Sequence, residues 1–156
     1  MSIQVRIVTE ALDPVASMAE LCGRDSEAGA VSSFIGQVRG GDGLVALELE
    51  HYPGVTEAAL EDIAQAAVQR WSLTEARIIH RVGRMEIGEP IVLVAATAPH
   101  RRAALAAVEF MIDVLKTQAP FWKKEYTRAG SRWIEPRDED HVAAEGWLRS
   151  KQDQAV

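Results

Sequence analysis

The segment between Pro99 and Pro120 constrains the fold of this chain more than any other part of the sequence. Apolar residues recur within it at helical spacing, which predicts an amphipathic helix over residues 100–117. Pro99 introduces that helix, and Pro120 cannot continue it. The preceding apolar run at 91–96 predicts a strand that is buried on both faces. The chain therefore contains an inner strand that leads directly into a long helix.

Strand-like and helix-like segments alternate irregularly in the rest of the sequence. Alternating or β-branched stretches predict strands at 3–8, 28–39 (with a bulge or a close backbone approach at Gly36), 44–52, 75–82, 90–98, 121–126 and 132–135. Further helices are predicted from Asp13 and Pro14 to about 21, from an N-cap at Thr56 to about 71, and over 138–148. Several strands are joined by short turns, one of them containing Gly88. This pattern favours α+β with a mainly antiparallel sheet over a doubly wound parallel fold.

Length and composition fit one globular domain. The 156 residues are 47% hydrophobic and 26% charged, which argues against disorder. We expect one catalytic domain over 1–149 and a frayed tail at 150–156. The first residues do not resemble a signal peptide, and no run approaches the roughly 20 apolar residues of a membrane span. Cys22, the single cysteine, is expected to be a small buried side chain. Because a single cysteine cannot form an internal disulfide, a cytoplasmic protein is the simplest expectation.

The basic residues are concentrated in one segment of an acidic chain. The net charge is −6 overall, but residues 100–132 carry seven Lys/Arg against three Asp/Glu. A nucleic-acid-binding protein would need a broader positive face, whereas a small anion needs only a local one. Phosphate loops, dinucleotide-binding fingerprints and paired-cysteine metal motifs are absent. The scattered histidines do not predict a metal site, and His51 and His80 are expected to be structural.

Both ends of the predicted helix carry candidate site residues. His100 and Arg101 lie in its first turn, where free backbone N–H groups favour an anion, although solvation of long side chains is the alternative. Lys116 lies in the last turn, and Lys123 follows the break at Pro120. Two lysines in a partly apolar pocket would favour a neutral amine, which is a candidate base or nucleophile.

Helix length separates these two groups of residues. His100 and Lys116 are sixteen residues apart in sequence, or about 24 Å along an α-helix. One small-molecule pocket can hardly be lined by both ends of the same straight helix. If both ends serve one substrate, a dimer is expected, with His100 and Arg101 contributed by the second subunit.

Five segments closely resemble the large, catalytic subunit of molybdopterin synthase. They are FIGQVR (34–39), LELEHYPGVTEAAL (47–60), HRVGRMEIGE (80–89), PHRRAAL (99–105) and EFMIDVLKTQAPFWKKE (109–125). The resemblance runs in order over about residues 28–135. It implies an α+β fold of the α/β-hammerhead type. It also implies sulfur transfer to cyclic pyranopterin monophosphate, forming the dithiolene of molybdopterin in molybdenum cofactor biosynthesis.

The same resemblance implies partners and site residues. The sulfur donor is a small ubiquitin-like carrier subunit whose C-terminal Gly-Gly ends in a thiocarboxylate, and a homodimer forms the core of a heterotetramer. Neither a metal nor a cofactor is required. Lys116 and Lys123 match the catalytic lysines, and the expected substrate-binding residues are Gln37, Val38, Arg39, His100, Arg101, Lys116, Lys123, Lys124 and Glu125. Position 37 is basic in some relatives, and Arg137 is a further candidate anion ligand.

Two other functions are compatible with a lysine-rich anion site. A lysine-dependent Schiff-base lyase would need a carbonyl substrate and a covalent adduct on Lys116. A non-catalytic anion-binding regulator would need Lys123 for binding but would have no turnover.

Overall fold

The computed structural model describes residues 1–134 and 145–147. The strands are β1 (Ser2–Val8), β2 (Ala30–Gln37), β3 (Leu44–His51), β4 (Glu75–Arg81), β5 (Gly83–Glu86), β6 (Pro90–Ala98), β7 (Phe121–Thr127) and β8 (Gly130–Ile134). The helices are α1 (Pro14–Leu21), α2 (Val55–Trp71) and α3 (Arg101–Gln118), and residues 145–147 are also helical. The predicted tail at 150–156 and most of the predicted final helix lie outside the described residues. The expected single domain over 1–149 stays a prediction.

The strands form two four-stranded sheets. The first, sheet A, has the order β1-β4-β6-β2, and the second, sheet B, has the order β5-β3-β7-β8. Only the β1–β4 pair is parallel among the pairings of the described strands. The predicted α+β class with mainly antiparallel strands is therefore confirmed.

Sheet A is covered by helices on both faces. The main core lies between it and α2 and α3, with Ile78, Val94 and Met111 completely buried. On the opposite face α1 packs over Ile79 and Leu93. The guanidinium of the buried Arg77 also forms an ion pair with the carboxylate of Glu20 on α1, at 3.0 Å. β6 is buried along almost its whole length, as its apolar sequence predicted. None of the helices in the described part of the chain combines the length and apolar character that a membrane span requires.

The helix predictions for α1 and α3 are confirmed, but the predicted start of α2 is wrong. Asp13 caps α1 by accepting a hydrogen bond from the backbone N–H of Ala16 at 3.0 Å. α2 instead begins after Gly54, with Thr56 inside its first turn. The fully buried Thr56 hydroxyl accepts from the Tyr52 N–H and donates to the Pro120 carbonyl, each at 2.9 Å. Its side chain therefore ties the start of α2 to the end of the α3–β7 connection.

Two further expectations are wrong. The segment between β4 and β6 was predicted to be a turn, but it also contains the short strand β5. This strand pairs with β3 and belongs to sheet B. Cys22 is exposed rather than buried. The physical reason is that α1 ends at Leu21, and the extended backbone at Cys22 turns away from the core.

Candidate active site

Lys116 lies in the last turn of α3 with an exposed side chain, so this single chain does not by itself bury Lys116 in an apolar pocket with Lys123. The helix ends at Gln118, and the chain enters β7 after Pro120. Lys123 is the third residue of β7 and is half-buried. Both lysines therefore flank one corner of the chain, which Thr56 fixes through the Pro120 carbonyl.

The residues of β7 point alternately to the two faces of sheet B. Lys123 pairs with Leu49 in register, and Leu49 is buried, so Lys123 lies on the inner face. Lys124 lies on the outer face, where its ammonium is 5.3 Å from the Tyr126 ring centroid and 5.4 Å from that of Trp133. Lys123 and Lys124 therefore lie on opposite faces of sheet B, so they cannot approach one small ligand from the same side.

Glu125 shares the inner face with Lys123. It is half-buried, and its carboxylate is 3.4 Å from the guanidinium of Arg132 on β8. Arg132 is largely exposed, so the ion pair is screened by solvent and contributes little to stability. The ion pair acts locally, because it holds the negative charge of Glu125 on the inner face, two residues from Lys123.

Arg39 follows β2 and is held next to the lysine corner by Val38. The Val38 side chain is 3% exposed and packs in a small core with Leu49, with Phe121 packed against it. The Val38 N–H donates to the Glu89 carbonyl at 3.0 Å, and its own carbonyl accepts from Gly88 at 2.8 Å. Val38 is thus an anchor with no side-chain surface to offer a ligand. Its neighbours Gln37 and Arg39 are exposed.

His100 and Arg101 lie at the other end of sheet A. His100 is the N-cap of α3 and Arg101 is its first residue, and both are exposed. Their position is fixed by Gly29, whose N–H donates to Ala98 at 3.0 Å. A Cβ at Gly29 would lie 2.3 Å from the Pro99 carbonyl oxygen, so the backbones approach too closely for a side chain.

The described residues therefore form two separate cationic regions. β2 and β6 are antiparallel, with Ala30 opposite Ala98 and Gln37 opposite Pro90. His100 is thus beside the start of β2, and Arg39 is just past its end, so at least the length of β2 separates them, roughly 23 Å at about 3.3 Å per residue. α3 runs back along β2 and β6 and brings Lys116 to the Arg39 end. Arg137, the further candidate ligand, lies outside the described residues.

Apart from the half-buried Lys123, the cationic side chains of the two regions are exposed. Two grooves lie elsewhere on the chain. One, of about 520 Å³, is lined by residues of β1 and α2, and the other, of about 220 Å³, is lined mainly by residues of β1 and α1. No group of metal-ligating side chains was found in the part of the chain that the structure describes.

His80 is a structural residue, as expected, but the support that it gives to the start of β7 was not predicted. His51 contacts Glu57 at 3.3 Å. His80 is buried, with Nδ1 2.9 Å from the Arg81 carbonyl, and its ring stacks on Phe121 with centroids 4.0 Å apart. Burial lowers the pKa of His80 to about 4. A neutral imidazole therefore supports the start of β7, two residues before Lys123.

The fold and these regions define a small α+β protein with two separate cationic surface regions. A family model described as MoaE protein matches residues 7–118. The molybdopterin synthase catalytic subunit of Vibrio cholerae serotype O1 is 53% identical over 136 residues, which cover 85% of this chain and 91% of that protein. The chain belongs to the MoaE family.

Solved structures agree with this assignment. The molybdopterin biosynthesis MoaE protein from Burkholderia ambifaria MC40-6 superposes with a TM-score of 0.80 at 48% identity, covering 93% of this chain and 97% of that one. A chain from Helicobacter pylori 26695 superposes with a TM-score of 0.72 at 25% identity, covering 85% of this chain and 91% of that one. It was solved as the protein–protein complex of subunits 1 and 2 of molybdopterin-converting factor.

We expect His80 to make the stability of the fold depend on pH between 6.5 and about 4. In this range the His80 imidazole becomes protonated in the unfolded chain but stays neutral in the folded chain, where it is buried. The unfolded state thus binds more protons, and the free energy of unfolding falls as the pH falls, by up to about 3 kcal/mol.

Urea unfolding of wild type and His80→Gln across this pH range measures the effect. The variant should lose less stability on acidification than the wild type does. His100→Gln, which removes an exposed imidazole, controls for the loss of a titrating group. Equal slopes in His80→Gln and wild type would contradict the assignment.

Proposed function

We propose that this protein is the catalytic subunit of a molybdopterin synthase. In this reaction sulfur passes from the C-terminal thiocarboxylate of a small ubiquitin-like carrier to cyclic pyranopterin monophosphate and forms the dithiolene. The family assignment supports the activity, and the two-subunit complex from Helicobacter pylori supports the carrier as partner. Two observations support the proposal for the site: Lys116 and Lys123 flank the α3–β7 connection, and Val38, the residue before Arg39, lies in the small core against which Phe121 packs. A cytoplasmic location is part of the same proposal.

In the proposed mechanism Lys116 is the central residue and Lys123 its partner. The carrier tail ends in an anion, and both ammonium groups can neutralise it. Charge also develops on the acyl group of the carrier as its carbon–sulfur bond breaks, and fixed cations stabilise that charge. An ammonium group can also donate or accept a proton. Neither a metal nor a cofactor is needed for these steps, because molybdenum binds the product later.

The cyclic phosphate of the substrate is assigned to Arg39 together with His100 and Arg101. Arginine is suited to this role because its guanidinium makes paired hydrogen bonds to phosphate oxygens. Gln37 is exposed beside Arg39 and can contact the substrate, whereas the buried Val38 acts by fixing Arg39. Glu125 can orient Lys123 on the inner face of sheet B. Lys124, on the outer face, is better placed to meet the carrier than the pterin.

A second copy of the chain completes the site in this proposal. β2 is an edge strand of sheet A, and it exposes apolar side chains, namely Val31 at 37%, Phe34 at 39% and Ile35 at 40%. Two β2 strands that pair antiparallel about a two-fold axis place the end of one beside the start of the other. Arg39 and Lys116 of one protomer then lie near His100 and Arg101 of the partner.

Replacing Lys116 with alanine tests the catalytic assignment. We expect Lys116→Ala to lower the rate of dithiolene formation by a factor of about 100 or more, because a fixed cation is lost where charge develops. The assay mixes the protein with thiocarboxylated carrier and cyclic pyranopterin monophosphate. Carrier binding, measured by calorimetry, should be largely retained. Arg128→Ala removes an exposed cation at the β7–β8 turn and is the matched control.

The other candidate functions give different results. Trapping of a carbonyl substrate on Lys116 by borohydride would favour the Schiff-base lyase. For a regulator, Lys123→Ala would weaken anion binding in a protein that has no turnover. Full dithiolene formation by Lys116→Ala, or its loss of folding, would contradict the proposed role.

A charge on the β2 edge tests the proposed dimer. We expect Ile35→Glu to yield monomers, because burying an unpaired carboxylate at the interface costs several kcal/mol. Sedimentation measures the oligomeric state, and the monomers should lack synthase activity. Val15→Glu, on α1 at 79% exposure, controls for adding a charge in place of an exposed valine or isoleucine. A fully active dimer of Ile35→Glu would exclude this edge as the interface.

A further inference from the structure

Trp147 is held on the surface of α2 and α3 by contacts around its ring. It makes T-shaped contacts with Trp71 and Phe110, with centroids 5.6 and 5.7 Å apart. The guanidinium of Arg70 lies 5.3 Å from its ring centroid and donates to its carbonyl at 3.3 Å. These contacts fix the direction of the indole N–H.

The indole N–H of Trp147 donates to the carboxylate of Asp113, with Nε1 2.7 Å from Oδ2. Asp113 is half-buried on α3, and this short hydrogen bond satisfies one of its oxygens. The donor is neutral, so the carboxylate is held without the use of a cation.

Asp113 is also the acidic residue on α3 nearest to Lys116. Residues three apart on a helix have Cβ atoms about 5–6 Å apart, and opposite charges at this spacing attract each other. The ion pairs found within the described residues nevertheless do not join Asp113 to Lys116. The other acidic residue on that helix, Glu109, is two turns away from Lys116.

A carboxylate paired with Lys116 would compete with an incoming anion for the same ammonium group. We propose that Trp147 is a positioning residue for Lys116, because it holds the Asp113 carboxylate and so leaves the Lys116 ammonium available to an anionic ligand. The inference rests on the proposed function, in which that ligand is the C-terminus of the carrier. It assigns a role in anion affinity to a side chain that does not itself contact the substrate.

Trp147→Phe tests the inference, because phenylalanine keeps most of the ring contacts and removes the N–H. The freed carboxylate should turn to Lys116. We expect the affinity for a fluorescent peptide ending in a Gly-Gly carboxylate to fall by about 2- to 5-fold, as an ion pair at this helical spacing would produce. In the sulfur-transfer assay the KM for thiocarboxylated carrier should rise by a similar factor, with kcat nearly unchanged.

Removing the competing charge should reverse the effect. The double variant Trp147→Phe/Asp113→Asn should regain wild-type affinity, and Asp113→Asn alone should bind at least as well as wild type. A purely structural role of Trp147 predicts instead a loss that Asp113→Asn does not restore, and that result would overturn the inference. Equal affinity of Trp147→Phe and wild type would also overturn it.

Peptide binding needs no turnover, so it separates the two proposals. If the wild type binds the peptide but does not form dithiolene with carrier and pterin, the proposed function fails. The peptide affinities of the wild type, the two single variants and the double variant still decide whether Trp147 keeps the Asp113 carboxylate from pairing with Lys116.

Discussion

The packing of α3 along sheet A governs the arrangement of the site. The apolar stripe of the helix, including Ala104, Val108, Met111 and Leu115, is buried against the sheet, so the helix cannot bend away from it. Only Pro99 and His100 connect β6 to α3, and the helix therefore runs back over the strand that precedes it. At about 1.5 Å per residue His100 and Lys116, at opposite ends of the helix, are about 24 Å apart. Burial of one helix face thus separates the cations of one chain into two regions.

A second set of contacts joins sheet B to this arrangement. The Thr56 hydroxyl holds the Pro120 carbonyl, and the neutral ring of His80 stacks on Phe121. These two contacts fix the point at which the chain leaves α3 and enters β7. Lys123 is two residues beyond Phe121, so its position relative to Lys116 depends on packing in the core. Val38 brings Arg39 to the same corner through the small core that it shares with Leu49.

Much of the fold could be predicted because its signals are local. The cap formed by Asp13 and Pro14 and the apolar periodicity of α3 each depend on neighbouring residues, and both predictions are confirmed. Predictions that depended on distant contacts did less well. Thr56 resembles an N-cap in sequence, but its hydroxyl bonds to Pro120, sixty-four residues away. β5 is only four residues long and is defined by its pairing with β3.

The candidate site shows the same division. Helix length alone predicted that His100 and Lys116 would be far apart, and the position of α3 on sheet A agrees with this. The alternation of β7 could have placed Lys123 and Lys124 on opposite faces, but only the buried partner Leu49 identifies the inner one. The exposure of Lys116 in the single chain could not be predicted from the apolar residues Phe121 and Trp122 that follow it, because they lie on β7, beyond the end of α3.

Mixing two inactive variants is the most direct test of a site divided between protomers. Lys116→Ala and His100→Ala should each be inactive alone. If each site takes Lys116 from one protomer and His100 from the other, a mixed dimer has one site with both residues intact. Random exchange of equal amounts should then restore about a quarter of wild-type sulfur transfer. Mixed dimers that remain inactive, although sedimentation shows that subunits have exchanged, would contradict the divided site.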